Sequence, residues 1–169
     1  ATSDLAVHAG ERALQAAGVA PSDLDLIIVA TTTPDMLFPS TACLVQHRLA
    51  ATSAAAFDLA AACAGFVYAL SVGEQFILSG KSKTALIIGA DVMSRFVDWT
   101  DRTTSVLFGD GAGAVVLAPT SGAAGLVSTH LHAEGSLSHL ITIPGGGSAN
   151  PPSEKMLIEK CNTIKMRGS

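Results

Sequence analysis

Three short, uninterrupted apolar runs constrain this chain most: DLIIVATTT (25–33), AAAFDL (54–59) and TALIIGAD (84–91), each separated from the next by a segment with helical spacing. A strand that is apolar throughout, rather than at alternate positions, must be covered on both faces. The intervening segments supply the cover. DLAVHAGERALQAA (4–17) carries apolar groups three and four apart and ends at Gly18, with Ser3 or Asp4 as a cap. PSTACLVQHRLA (39–50) opens on Pro39, and CAGFVYALSVGEQFILSG (63–80) is closed by Gly80. This order predicts an α/β fold with a parallel sheet between helices. At 169 residues, 49% hydrophobic and 14% charged, the chain can bury one real core.

Beyond Asp91 the pattern changes. VMSRFVDWTDRTTS (92–105) is a long irregular connection holding the only Trp and two arginines. VLFGD (106–110), GAGAVVLAP (111–119) and GLVSTHLHAEG (125–135) predict consecutive strands joined by tight turns. PGGGSANPPSE (144–154) predicts a flexible loop, and KMLIEKCNTIKMRGS (155–169) a strand or the start of a helix. An apolar α/β layer of this kind reads as part of a larger fold, and it holds no internal repeat.

The formal net charge is −4, so there is no basic footprint for nucleic acid or an acidic membrane surface. Every apolar stretch is interrupted by Gly, Asp or Glu before it reaches a bilayer-spanning length, and no basic-then-apolar leader opens the chain. The three cysteines, Cys43, Cys63 and Cys161, are an odd count without a CxxC pair. That pattern suggests neither a disulfide framework nor a zinc site, and a reducing cytoplasm is the expected location.

Four features are candidates for chemistry. Cys63 falls where a buried strand and a run of alanines turn into a long helix, so unpaired backbone N–H groups and the helix dipole favour its thiolate. Ala60, Ala61, Ala62, Ala64 and Gly65 leave room beside the sulfur. The competing reading is an inert core thiol, which is also the reading for Cys43, placed within a helix away from its start, and for Cys161. GDGAGA (109–114), with Glu134 about twenty residues later, fits the dinucleotide-binding pattern formally. A strand follows it rather than a helix, so a tight turn permitting positive φ or close backbone packing is expected instead. Arg102, near Trp99, suits a phosphate or nucleotide group, or else pairs with Asp98 or Asp101. His130 and His132 would share one face of a strand, and without third and fourth ligands they read as ordinary polar residues.

Taken together, FDLAAACAGFVYAL, FGDGAGAVVLA, VATTTPDMLFPSTA and STHLHAEGS, in their order along the chain, resemble the β-ketoacyl-acyl-carrier-protein synthase III family from about Ser3 to at least Leu140. The resemblance implies a thiolase-like layered fold (α-β-α-β-α), two related halves and usually a homodimer. Residues 1–169 would be most of the N-terminal half, without its first strand. Cys63 is similar to the family's nucleophile and Arg102 to an arginine near the adenine end of coenzyme A. Phe38 resembles a residue reaching into the partner's acyl pocket, and Phe108 and Leu140 resemble positions near that pocket. The substrates that the resemblance implies are a short acyl-CoA, acetyl-CoA foremost, and malonyl-acyl-carrier protein. Coenzyme A acts as thioester carrier, with no tightly bound cofactor. The family's catalytic histidine, asparagine and Gly-rich oxyanion segment lie in the other half, so His130 and His132 are not promoted to that role. The alternatives are a condensing or acyl-transfer enzyme of secondary metabolism and a non-catalytic scaffold half; thiolase proper and an NAD-dependent oxidoreductase are weaker rivals.

Overall fold

A computed structural model describes residues 1–122 and 125–167; Gly168 and Ser169 of the terminal MRGS lie outside the described residues. The chain divides into two units, Ala1–Asp91 with Gly111–Leu131, and Val92–Asp110 with His132–Ser169.

In the first unit, α1 (Thr2–Ala17) and β1 (Leu26–Ala30) are followed by α2 (Thr41–Arg48), β2 (Ala55–Leu59), α3 (Gly65–Leu78), β3 (Ala85–Val92) and β4 (Asp110–Leu117). The sheet order is β2-β1-β3-β4, with β1 parallel to both β2 and β3. Alternate strand residues go to opposite faces, as the pleat requires. Ile27, Val29, Leu86 and Ile88 meet Ala6, Val7 and Leu14 of α1 and Ala42 and Val45 of α2. On the other face, Leu26, Ile28, Ala85 and Ile87 meet Phe66, Ala69, Leu70 and Phe76 of α3. All five β1 residues are buried, which is why the run carries no polar alternation. The predicted parallel arrangement with helices on both faces is therefore present.

Helix ends differ from expectation in instructive ways. Gly18 closes α1 with φ 65°, as anticipated. Ser3 does not cap α1, which already starts at Thr2, whereas the Asp4 carboxylate at the third helical position closes a capping box by accepting from the Ala1 backbone nitrogen at 2.6 Å. Ser3 instead faces inward, its N–H and hydroxyl donating to the Asp35 carboxylate at 2.8 and 2.7 Å, while Asp4 takes Arg48 at 2.8 Å. Pro39 is not helical; Ser40 caps α2 and accepts the Cys43 amide. The Asp58 carboxylate of β2 accepts the first two amides of α2, from Thr41 and Ala42, each at 2.7 Å. Cys43 thus sits in the first turn of α2, exposed, and not away from its start.

Of the three strands expected after residue 105, one forms. VLFGD is not a strand: Val106 and Leu107 are exposed, and residues 102–107 form turns held by Asp101, which accepts Thr103 N–H and the Thr103 and Thr104 hydroxyls. GLVSTHLHAEG has the right alternation but takes no strand conformation among its described residues, because β pairing needs a neighbour that a two-residue repeat cannot supply. Gly111 and Gly113 of GDGAGA run inside β4 and Gly109 just precedes it, none with positive φ, and a Cβ on any of the three would meet nothing within 4 Å. Neither the dinucleotide turn nor the tight-turn reading survives.

The second unit holds β5 (Ile141–Thr142), α4 (Glu154–Ile158) and β6 (Lys165–Met166). β5 and β6 are antiparallel, and Ser153 caps α4 through the Met156 amide at 3.1 Å. Both alternatives expected for residues 155–169, helix and strand, are present among the described residues, as α4 and β6. Among the described residues no helix is long and apolar enough to cross a membrane.

Candidate active site

The parallel strands β1 and β2 deliver two segments to one end of the sheet. β1 continues into Thr31–Thr33 and the loop bearing Phe38; β2 continues into Ala60–Ala64 and Cys63. The carboxyl ends of parallel strands are where open α/β sheets bind ligands, because the loops there are free to diverge while the sheet holds them.

Cys63 is exposed and lies in a single 3₁₀ turn, Ala62–Ala64, immediately before α3. It is not the first helical residue; Ala64 is the cap residue and no side chain satisfies the first amides of α3. Among the described residues no backbone hydrogen bond engages the Cys63 N–H. Close packing fixes the turn from behind. A Cβ on Gly65 would come 3.3 Å from the Ala30 methyl, and one on Gly89 3.3 Å from the Phe66 ring. The thiol is exposed and not buried in the core, in contrast to the inert-core reading.

Phe38 is 82% exposed, next to Leu37 at 88% and Met36 at 48%. This is an apolar tip that water does not favour. The loop is anchored ahead of this tip: Asp35 holds Ser3, and Thr31–Thr33 are gathered by Asp91. One carboxylate oxygen, Asp91 Oδ1, accepts the Thr31 hydroxyl (3.2 Å), the Thr32 N–H (2.8 Å) and hydroxyl (2.9 Å), and the Thr33 hydroxyl (3.1 Å). Sequence reading missed this hub. The available signal was an aspartate ending one apolar run and three threonines ending its neighbour.

Arg102, Phe108 and Leu140 belong to the second unit. Arg102 is exposed and forms no ion pair among the described residues. Its expected pairing with Asp98 or Asp101 is absent because both carboxylates are engaged elsewhere. Lys160 Nζ lies 2.8 Å from Asp98, which also accepts the Thr100 amide and hydroxyl, and Asp101 is occupied by Thr103 and Thr104. Trp99 on the same loop is 64% exposed. Phe108 is half-buried, and Leu140 is 36% exposed, its carbonyl accepting the Arg167 N–H at 2.8 Å beside β5. His130 and His132 lie on irregular backbone, not on a strand, and the described residues contain no group of three metal-ligating side chains.

The same contacts give the second unit a pH dependence. The Lys160 ammonium, then Thr100, holds the Asp98 carboxyl well below its ordinary 3.8, and Thr103 followed by Thr104 lowers Asp101. A carboxyl whose folded value is depressed contributes stability present above its unfolded value, lost as pH falls through the folded one. The Asp98 and Asp101 contacts are therefore fully present above 3.8 and are lost as pH falls below it. A carboxyl-carbon NMR titration should place both midpoints below 3.8, and Lys160→Met should raise that of Asp98. A midpoint unchanged by that substitution would mean that the ion pair does not form.

Comparison with known proteins bears on the same stretch. The model of the 3-oxoacyl-[acyl-carrier-protein (ACP)] synthase III family matches residues 57–135, which contain Cys63, Arg102 and Phe108. The β-ketoacyl-[acyl-carrier-protein] synthase III of Xylella fastidiosa is 56% identical over 168 residues, 99% of this chain and 50% of that protein. The crystal structure of the Aquifex aeolicus 3-oxoacyl-[acyl-carrier-protein] synthase III superposes with a TM-score of 0.86 at 45% identity, covering 99% of this chain and 50% of that one. A priming β-ketosynthase from a polyketide biosynthetic pathway gives a TM-score of 0.81 at 31% identity, over 98% of this chain and 48% of that one. The chain spans about half the length of the curated relatives it matches. Over that span the thiolase-like α/β architecture and the identities agree, and the chain belongs to the β-ketoacyl-[acyl-carrier-protein] synthase III family.

Proposed function

We propose that residues 1–169 are most of the N-terminal half of a condensing acyltransferase that starts fatty acid synthesis, with Cys63 as its nucleophile. The observation that carries this reading is the exposed Cys63 thiol on a turn that opens into α3, at the carboxyl ends of parallel strands and inside the family match. In the first half-reaction the Cys63 thiolate attacks the thioester carbonyl of a short acyl-CoA. The acyl–cysteine bond forms, the carbon–sulfur bond to coenzyme A breaks, and the coenzyme leaves as a thiol after taking a proton. The unengaged Cys63 N–H is available to the oxyanion. In the second, malonyl-acyl-carrier protein loses carbon dioxide. The carbanion so formed attacks the acyl-cysteine, yields a 3-oxoacyl product and releases the Cys63 thiolate.

This scheme calls for no resident cofactor; coenzyme A and the carrier protein are substrates. Arg102, free of carboxylate partners and near Trp99, is assigned to the nucleotide end of coenzyme A. Phe38 is assigned to the acyl pocket of a second copy, which the exposure of Met36, Leu37 and Phe38 supports. Phe108 and Leu140 are assigned to the acyl site. The histidine and asparagine that assist decarboxylation in the family would come from polypeptide outside these residues, and the reaction would take place in the cytoplasm.

The test is intact mass of the complete protein before and after acetyl-CoA, with peptide mapping. One acetyl group on Cys63 is expected; an adduct on Cys43 or Cys161 instead, or none, overturns the assignment. The likeness to a polyketide priming ketosynthase supports a second reading, condensation in secondary metabolism. Profiling acyl length and carrier protein separates the two, since a preference for longer acyl groups or a polyketide carrier favours the second.

A further inference from the structure

The turn that carries Cys63 holds a residue in a conformation its type rarely adopts. Ala62 has φ 47°, in the left-handed region where a Cβ crowds the backbone. Two other non-glycine residues share a positive φ among the described residues, Ala50 at 57° and Lys160 at 53°. Each lies two residues past the end of a helix, α2 and α4, where left-handed backbone is the common way to finish. Ala62 precedes its helix, so helix termination does not account for it.

Contacts on either side hold Ala62 there. Upstream, the Leu59 carbonyl accepts the Thr31 N–H at 3.2 Å, tying the end of β2 to β1. Downstream, the Ala64 N–H donates to the Ala61 carbonyl and the Gly65 N–H to the Ala62 carbonyl, while Gly65 packs on Ala30. The strand direction and the helix axis are both fixed, and one left-handed residue joins them. Glycine would satisfy that geometry with less strain, yet glycine also populates other regions freely, so the turn would wander. Strain retained beside a reactive group is a recurrent feature of functional sites.

We infer that Ala62 is a positioning residue: its left-handed backbone, stiffened by the methyl group, holds the Cys63 amide and sulfur at the mouth of α3. The acyl-transfer consequence rests on the function proposed above, whereas the effect on the thiol does not. The test compares Ala62→Gly with the unaltered complete protein. Iodoacetamide alkylation of Cys63 and Cys43 is followed in the same chain by peptide mapping, alongside Tm and acetyl transfer from acetyl-CoA. The unaltered protein should alkylate Cys63 faster than Cys43. Ala62→Gly should leave Tm equal or higher and slow Cys63 relative to Cys43 by about tenfold, the scale of loss when a reacting group is displaced by part of an ångström. It should also lower kcat for acetyl transfer with KM for acetyl-CoA unchanged. An unchanged ratio of the two cysteines, a fall in Tm with both cysteines altered alike, or no advantage of Cys63 in the unaltered protein would each overturn the inference. Rapid alkylation of Cys63 without any transfer from acetyl-CoA would sink the proposed function, and the alkylation ratio would still decide the role of Ala62.

Discussion

Cys63→Ala is expected to eliminate the acyl adduct formed with acetyl-CoA and to lower turnover of the complete enzyme by about 10⁴-fold or more, the scale seen when a covalent nucleophile is removed. The fold should not register the change. Cys63 is exposed, no hydrogen bond among the described residues uses its sulfur, and Gly65 and Phe66 rather than Cys63 make the packing contacts of this turn. Substitutions at such positions shift stability by about 0.5 kcal/mol or less. The informative result is therefore the combination: activity gone, Tm retained and circular dichroism unchanged. Loss of Tm in parallel with activity would return Cys63 to the status of a packing residue. Substantial turnover without the thiol would place the acyl group elsewhere, and Cys43, exposed in the first turn of α2, would be the first site to map.

What the sequence disclosed and what it withheld divide along a physical line. β1, β2 and β3 were legible because both-face burial erases polar alternation, a local signature of a non-local environment. Gly18 and Gly80 marked helix ends because positive φ, here 65° and 72°, favours glycine. Past residue 105, the apolar start of VLFGD and the alternation in GLVSTHLHAEG suggested strands, but such patterns report only which residues of an extended segment are apolar. Whether a neighbour offers its hydrogen bonds is settled elsewhere in the chain, and for these segments none did. The site shows the same limit. Cys63 was marked by its place between an apolar run and a helix, which are local features. The freedom of Arg102 depended on Lys160 reaching Asp98 across 62 residues, and the Asp91 hub joins positions about 60 apart. Ala62 gave no signal at all, since alanine is not the residue type that marks left-handed backbone.

The Asp91 hub carries the largest expected effect on stability. Asp91→Ala removes the shared acceptor of three hydroxyls and one amide at the carboxyl end of the sheet. Thr31 is only 6% exposed, so its hydroxyl cannot turn to bulk water without opening the strand end, and a buried donor stripped of its acceptor costs about 1–3 kcal/mol. Thr32 is exposed, so its hydroxyl and amide can rehydrate at smaller cost. The sum is about 2–4 kcal/mol, which for a chain of this size lowers Tm by about 5–15 °C. Asp91→Asn keeps one carbonyl oxygen where the carboxylate was and should lose less than half as much. Thr31→Val deletes the buried donor but also removes the hydroxyl oxygen that accepts the Thr33 N–H at 3.0 Å, so it too should lower Tm. Combined with Asp91→Ala, it should be clearly less than additive, since the two share one hydrogen bond. Because Thr31 N–H also bonds Leu59 at the end of the strand leading to Cys63, the Asp91→Ala protein should alkylate Cys63 more slowly well below its Tm. Thermal melts of the three variants and the double substitution decide the matter. Melting within about 1 °C of the unaltered protein for both Asp91 variants would show that this carboxylate does not hold the strand ends together.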